Sequence, residues 1–187
     1  MKNLTLIIPA KKEKESLPKV LYELKPYNFK TVVILEEEDI ETVDTIRNLD
    51  CEILYQKNKG YGDALIQGIN YVESDLFCIF NADGSFNPVE INNMLETLKK
   101  NDADLVFASR YEINCSSEDD TLITKIGNFI FTKIGNVFFK LNISDILYTF
   151  VIGKTSKVKD LNLKSKDFVF CVELPIKAKR NNLKLIT

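Results

Sequence analysis

One aspartate in this sequence stands where a charge can act. Residues 76–86 read LFCIFNADGSF, an apolar run that ends abruptly in a polar tip before Asn87-Pro88 opens a helical pattern. An unbroken run of this kind reads as a strand buried on both faces, because central strands of a parallel sheet have no solvent side. In open α/β sheets the carboxyl ends of strands face the ligand crevice. Asp83 at that end, beside the oxygen-bearing Asn81 and with Gly84 permitting a tight turn, suits a hard divalent cation that carries substrate phosphates. A plain turn accounts for the same residues, and the stretch alone leaves both readings open.

Other groups of residues are candidates for the same crevice. In residues 58–64, NKGYGDA, Gly60 and Gly62 precede a helix, where a backbone can approach a phosphate closely. The spacing is neither a P-loop nor the dinucleotide fingerprint, so an ordinary strand–helix loop is the competing reading. Glu36, Glu37, Glu38 and Asp39 form an acidic run that is either a solvated loop or the source of one carboxylate for a base or ribose hydroxyl. Lys11, Lys12 and Lys14 could neutralise a diphosphate, although surface lysines are common. Arg110, after Ser109, suits a phosphate clamp at a strand end. Asp145 and Glu173 are lone acids in apolar surroundings, either paired structurally or functional. The chain has no histidine, so any acid–base chemistry must use carboxylates, Lys or Arg, or a substrate that needs no base.

The elements that must hold these residues alternate regularly. Strands are expected at 4–9, 31–35, 51–55, 76–80 and 105–109. Helices are expected after Ser16, which can cap one, and at 39–48, 63–72 and 88–100. Strands alternating with helices through short loops imply an α/β fold, a mostly parallel sheet with helices on both faces, in a single domain over 1–187. Residues 114–120 read as a mobile loop. Residues 123–141 read as one or two amphipathic helices with Phe and Ile on one face and Lys on the other. Such a helix lies in a membrane interface or packs on the sheet; the second is the expectation, since most amphipathic helices face a core. Residues 144–153 are a loop or short strand, and 169–181 hold a last helix that Pro175 makes start late or kink.

Composition narrows the class. A net charge of -2 offers no electrostatic footprint for nucleic acid. Cys51, Cys78, Cys115 and Cys171 form no CxxC and fit reduced thiols of a cytoplasmic protein. No secretory signal and no apolar run of about 18 residues is present. The last residues, LIT at 185–187, look like the middle of a strand, so a missing C-terminal segment is expected.

Taken in order, these segments resemble glycosyltransferase family 2 with the GT-A fold, and more closely polyprenyl-phosphate glycosyltransferases of the dolichol-phosphate mannose synthase type. IPAKKEKE at 8–15 looks like the family's opening IPAYNEE, with Glu13 at its acidic position. Residues 58–65 look like NxGxGxAL, NADGS at 81–85 sits at the metal-binding DxD, and ASRY at 108–111 looks like GSRF/Y. SDILYTF at 144–150 loosely matches SDPTSGF, and 168–182 matches FxFxxELLxKAxRxG, with Glu173 at its glutamate. Asn81 replaces the first Asp of DxD, and the usual DDGSxD appears as 36–42 with longer acids and no glycine.

The resemblance implies transfer of a sugar from a UDP- or GDP-sugar to an acceptor, a polyprenyl phosphate or a glycan, with inversion. Asp83 and Asn81 would hold Mg2+ or Mn2+. Pro9, Ala10, Glu13, Glu36, Glu37, Gly60, Gly62, Asn81, Ala82 and Asp83 would bind the nucleotide sugar. Arg110, Asp145 and Glu173 would lie on the acceptor side, with Asp83, Asp145 and Arg110 as the catalytic set. It also implies a cytoplasmic protein at the inner face of the membrane. The alternatives are a weak or inactive homologue that binds nucleotide sugar as a partner subunit, and a membrane-surface protein without catalysis. A nucleotidyltransferase fits poorly, because its glycine-rich, basic signature near the first strand is absent.

Overall fold

The computed structural model describes residues 3–109 and 122–187, of which 122–128 by their backbone alone. Its strands are β1 (Leu4–Pro9), β2 (Lys30–Leu35), β3 (Glu52–Tyr55), β4 (Leu76–Ile79), β5 (Leu105–Phe107), β6 (Val151–Lys154) and β7 (Leu185–Ile186). The helices are α1 (Leu17–Leu24), α2 (Ile40–Ile46), α3 (Tyr61–Tyr71), α4 (Val89–Lys100), α5 (Leu122–Phe139), α6 (Thr155–Lys159) and α7 (Phe170–Arg180). The sheet order is β3-β2-β1-β4-β6-β5-β7, parallel except for β6, which runs against both β4 and β5.

The period of two along a strand decides which core each side chain enters. Leu4, Leu6 and Ile8 of β1 join Val33, Leu35, Cys78 and Phe80 under α1, α2 and α4. Ile7 joins Val32, Ile34, Phe77 and Ile79 on the opposite face, under α3, α6 and α7. Apolar side chains on both faces explain why the central strands read as unbroken runs.

Several elements differ from the expectation. The fifth strand stops at Phe107, and the antiparallel β6 slides between it and β4. Gly153 makes that insertion possible: a Cβ there would lie 2.4 Å from Leu105 Cδ2 and 2.9 Å from a Phe77 ring carbon. Hydrophobic periodicity carries no information on strand direction, so this arrangement was not foreseeable from the pattern. Ser16 does not cap α1; its hydroxyl turns to the Glu13 carboxylate. Asp39 does cap α2, accepting from Thr42 N–H. The last helix runs through Pro175 from Phe170 to Arg180. Residues 114–120 lie outside the described residues. Among the described residues no helix is long and apolar enough to cross a membrane.

The expectation that the 123–141 helix packs its apolar side on the sheet is overturned. α5 is one helix whose buried positions include Thr132 and Gly135, while Ile130, Phe131, Ile134, Val137 and Phe138 are exposed. Two hydrogen-bonding positions explain the choice of face. Thr132 Oγ1 accepts from Ile146 N–H, and the Asn136 amide bonds both backbone groups of Ile143. Gly135 lets the helix approach, because a Cβ there would meet Ile146 Cδ1 at 2.9 Å.

Candidate active site

A cleft of about 530 Å3 opens at the carboxyl ends of β1, β2 and β4. Its floor begins at Pro9 and Ala10, where Ala10 N–H continues the ladder onto Ile34 O at 2.9 Å. The turn bearing Asp83 is held from below by two aromatic side chains that bracket it. Phe80 and Phe86 are buried edge to face at 5.6 Å, and Phe86 stacks on Phe150 at 4.5 Å. Within the turn, Gly84 adopts φ +82, a conformation that L side chains rarely take. Ser85 N–H donates to Asp83 Oδ1 at 2.9 Å, and Asn81 Nδ2 approaches Ser85 Oγ at 3.3 Å. Asp83 is thereby oriented and remains exposed in the cleft.

The acidic run after β2 is organised rather than loose. Glu36 pairs with Lys11 at 2.9 Å and lies 4.0 Å from Lys59. The Lys11 hydrogen bond holds the Glu36 carboxyl below the usual carboxylate range. Asp39 accepts Lys12 N–H at 2.6 Å, and Lys14 pairs with Glu41. These bonds fasten the loop after β1 to the start of α2. Glu36 faces the cleft; Glu37 is not among its lining residues.

On the opposite wall, Tyr61 bonds Thr149 Oγ1 at 2.6 Å and stacks on Phe168 with ring centroids 5.0 Å apart. Burial pushes the Tyr61 hydroxyl pKa upward, so this group stays protonated. Phe168 is 73% exposed although it lines the cleft, so its ring offers an apolar face at the mouth.

Among the described residues no three acids, cysteines or histidines gather around one point. Asp83 and the Asn81 amide oxygen supply one charged and one neutral donor. That set fits a cation which takes its remaining ligands from substrate phosphates and water, as Mg2+ commonly does.

Residues 5–161 match the model for glycosyl transferase family 2. The chain belongs to glycosyl transferase family 2. It is similar to a UDP-N-acetylglucosamine–dolichyl-phosphate N-acetylglucosaminyltransferase of Methanococcus voltae, 26% identical over 207 residues, covering 96% of this chain and 81% of that protein. A dolichol-phosphate mannosyltransferase of Pyrococcus furiosus is 28% identical over 116 residues, covering 57% of this chain and 33% of that protein. Among solved structures, glucosyl-3-phosphoglycerate synthase of Mycobacterium tuberculosis with Mn2+, UDP-glucose and phosphoglyceric acid superposes with a TM-score of 0.76. That match is 12% identical and covers 95% of this chain and 65% of that one. The fold is GT-A, and the chain is a glycosyltransferase.

In this family 2 chain the cleft brings together Pro9, Ala10, Glu13, Glu36, Gly60, Asn81, Ala82 and Asp83. Of the two glycines of the 58–64 loop, Gly60 lines the cleft and Gly62 is not among its lining residues. The close approach that Gly60 and Gly62 permit is to the chain's own backbone: added Cβ atoms would lie 2.1 Å from Lys166 O and 2.2 Å from Ser165 O. Asp63 N–H, in the first turn of α3, is already taken by Lys166 O at 3.0 Å. The Asp63 carboxylate, bonded to Asn58 and Gln67, adds negative charge there.

Asp145 and Glu173 do not reach the cleft as free acids. Asp145 is 1% exposed, and its Oδ1 accepts from Leu147 and Tyr148 N–H at 3.2 and 3.1 Å. It shapes the loop that carries Leu147 and Thr149 into the cleft. Glu173 accepts from Lys164 and Ser165 N–H and pairs with Lys177 at 2.8 Å. Arg110 lies outside the described residues. Gln56, Tyr61, Thr149 and Phe168 line the cleft without having been singled out as site residues; only their contacts across the fold mark them.

Burial opposes ionisation of Glu173, but the Lys177 ammonium and the two backbone donors outweigh it and leave its pKa lowered from 4.5. A carboxyl with a depressed folded pKa stabilises above its unfolded pKa and loses that contribution as pH falls through the folded value. Glu173→Gln is therefore expected to cost about 1–2 kcal/mol at neutral pH, by weakening charge-assisted bonds. Urea unfolding at several pH values should show the gap to wild type closing only in acid, below 4.5.

Proposed function

We propose that this chain transfers a hexose from a UDP- or GDP-sugar to a polyprenyl phosphate, with inversion at the anomeric carbon. One observation carries the acceptor assignment: the acids in reach of the site are already committed. Asp145 and Glu173 are taken up by backbone N–H groups, Glu36 by Lys11, and Glu13 by Ser16. With no histidine in the chain, the carboxylate left open in the cleft among the described residues is Asp83, which this reading gives to the cation and not to proton transfer. A hydroxyl acceptor needs a general base. A phosphate monoester does not, because its second pKa is about 6 and it is largely dianionic at neutral pH.

In this reading the donor nucleoside lies over Pro9 and Ala10 beside Glu36, and the diphosphate extends towards Asp83. Lys11 and Arg110 offset phosphate charge. Asp83, with the Asn81 amide oxygen, would hold Mg2+ or Mn2+, which when bound supplies charge stabilisation to the departing nucleoside diphosphate. A phosphate oxygen of the acceptor attacks the anomeric carbon as the bond to the diphosphate breaks; the bonding pair leaves with the nucleotide, and no proton moves. Tyr61 and Phe168 wall the cleft and limit water there, which protects the sugar from hydrolysis. The Methanococcus and Pyrococcus relatives support the lipid-phosphate acceptor, and the Mycobacterium structure supports a nucleotide-sugar and metal site on this fold.

The test is a thermal-shift panel of UDP-, GDP- and CDP-sugars with and without Mn2+, followed by product analysis with polyprenyl phosphate. A donor at about 100 times its Kd stabilises by roughly 2.7 kcal/mol. A metal-dependent shift and a glycosyl phospholipid product are expected; a shift with product only on a hydroxyl acceptor overturns the acceptor assignment.

Asn81 favours a second reading, a nucleotide-sugar-binding partner subunit without turnover. Asn81→Asp doubles the carboxylates at the cation position, so the Mn2+ concentration giving half-maximal activity is expected to fall several-fold, by analogy with ligand changes elsewhere. Activity in Asn81→Asp but none in wild type would establish the partner-subunit reading instead.

A further inference from the structure

We infer that Thr149 and Phe168 form the subsite that reads the donor hexose, Thr149 by a hydrogen bond to a sugar hydroxyl and Phe168 by the open face of its ring. The inference rests on the nucleotide-sugar reading above and deepens it. Tyr61 and Thr149 carry one hydroxyl hydrogen each, and the 2.6 Å contact between their oxygens uses one of the two. Among the described residues neither hydroxyl has a second hydrogen-bond partner. The phenol is the stronger acid and donates, so the Thr149 hydrogen is left over. Thr149 is 8% exposed and lines the cleft, so its hydrogen finds an acceptor there. A ligand oxygen that replaces water at this point gains a placed donor.

Packing fixes where this hydroxyl stands. Tyr148 and Phe150, on either side of Thr149, both pack on Phe86, with ring centroids 4.9 and 4.5 Å apart. Phe86 in turn brackets, with Phe80, the turn that carries Asp83. Thr149 is therefore tied to the Asp83 turn rather than to Glu36, whose partners are Lys11 and Lys59. In a nucleotide sugar the hexose is bonded to the diphosphate, on the side away from the nucleoside. With the nucleoside over Pro9 and Ala10 and the diphosphate at Asp83, the group that reaches Thr149 is the sugar.

Phe168 completes the subsite. Tyr61 covers one face of its ring in a stack 17° from parallel, and the ring is 73% exposed, which leaves the other face open. A pyranose presents C–H groups on its face and hydroxyls at its edge, so an aromatic face beside one hydroxyl-bearing side chain matches both. A neutral hydroxyl suits a sugar hydroxyl, which both gives and accepts; a phosphate takes its strongest bonds from cations. This hydroxyl is the chain's own feature. Thr149 falls where SDPTSGF has glycine, and Leu147 and Tyr148 fall at its Thr and Ser.

The experiment measures, by calorimetry of the whole chain with Mn2+ present, the Kd of UDP-glucose, UDP-galactose, UDP-N-acetylglucosamine and GDP-mannose beside that of UDP or GDP alone. The readout is the ratio of nucleotide-sugar affinity to nucleotide affinity. Thr149→Val keeps the side-chain shape without the hydroxyl and should lower that ratio roughly three- to tenfold, the worth of one hydrogen bond. Phe168→Ala, at an exposed position, should lower it roughly two- to tenfold. Thr149→Ser keeps the hydroxyl and should stay within about twofold of wild type. Tyr61→Phe breaks the same internal bond as Thr149→Val but leaves the Thr149 hydroxyl, so it should behave like Thr149→Ser. Melting of each variant establishes that it folds. With wild type binding a sugar donor, an unchanged ratio in either Thr149→Val or Phe168→Ala overturns the inference and leaves the donor reading standing. Equal losses in Thr149→Val and Tyr61→Phe also overturn it, by making the pair a structural bond. An unchanged ratio with a raised KM for polyprenyl phosphate gives the hydroxyl to the acceptor, which overturns it as well. Failure of all four nucleotide sugars to bind wild type would sink the donor reading, and this inference with it.

Discussion

Asp83→Ala is expected to lower sugar transfer by roughly 10²–10³-fold, the scale seen when one electrostatic group serving the transition state is lost. The carboxylate is exposed in the cleft, and among the described residues its hydrogen bond is to Ser85 N–H within the same turn. Melting should therefore change little, within about 0.5–1 kcal/mol for a surface position with one local bond. The informative measurement pairs turnover with donor-induced thermal shift. Loss of the Mn2+-dependent part of the shift together with turnover would assign Asp83 to the cation and diphosphate. Full turnover in the variant would remove Asp83 from the mechanism and with it the metal site at this strand end.

Gly60→Ala should be the most damaging methyl group added to this fold. Gly60 has φ +121, and its new Cβ would stand 2.1 Å from Lys166 O, a backbone atom that cannot swing aside. Backbone strain and steric overlap of this kind each cost about 1–3 kcal/mol, so a total near 3 kcal/mol or more is expected. At about 2–4 °C per kcal/mol for a chain of this size, the melting temperature should fall by roughly 6–12 °C. The same displacement moves residues 165–167 and Phe168, one wall of the cleft, so donor binding should weaken as well. A variant that melts like wild type would show that the 165–167 segment relaxes freely and does not fix the wall.

Much of this arrangement was visible in local patterns, and for identifiable reasons. The run at 76–80 carries apolar side chains to both faces of the sheet, and that forced a central strand whose polar end had to lie at an edge. Gly84 has a positive φ in the structure, as a tight turn beside Asp83 required. Both depend on neighbours within a few residues. The site residues expected from the resemblance fare differently according to the range of their contacts. Glu36 reaches the cleft because it directly follows β2, whereas Glu173 is spent on the backbone of residues 164 and 165. No spacing rule distinguishes an acid that binds substrate from one that accepts two backbone N–H groups.

The sequence by itself determined the alternation of strands and helices, the two-faced burial of the sheet and the placing of Asp83 at a strand's carboxyl end. Each of these follows from periodicity and turn chemistry, which act along the chain. Tertiary structure alone decided that β6 enters antiparallel between β4 and β5, that Gly60 and Gly62 receive the 165–167 backbone, and that α5 shows its apolar arc outward. These outcomes depend on partners distant in sequence. An apolar pattern states which side chains avoid water; it does not state what covers them, and for α5 no other part of the described chain does.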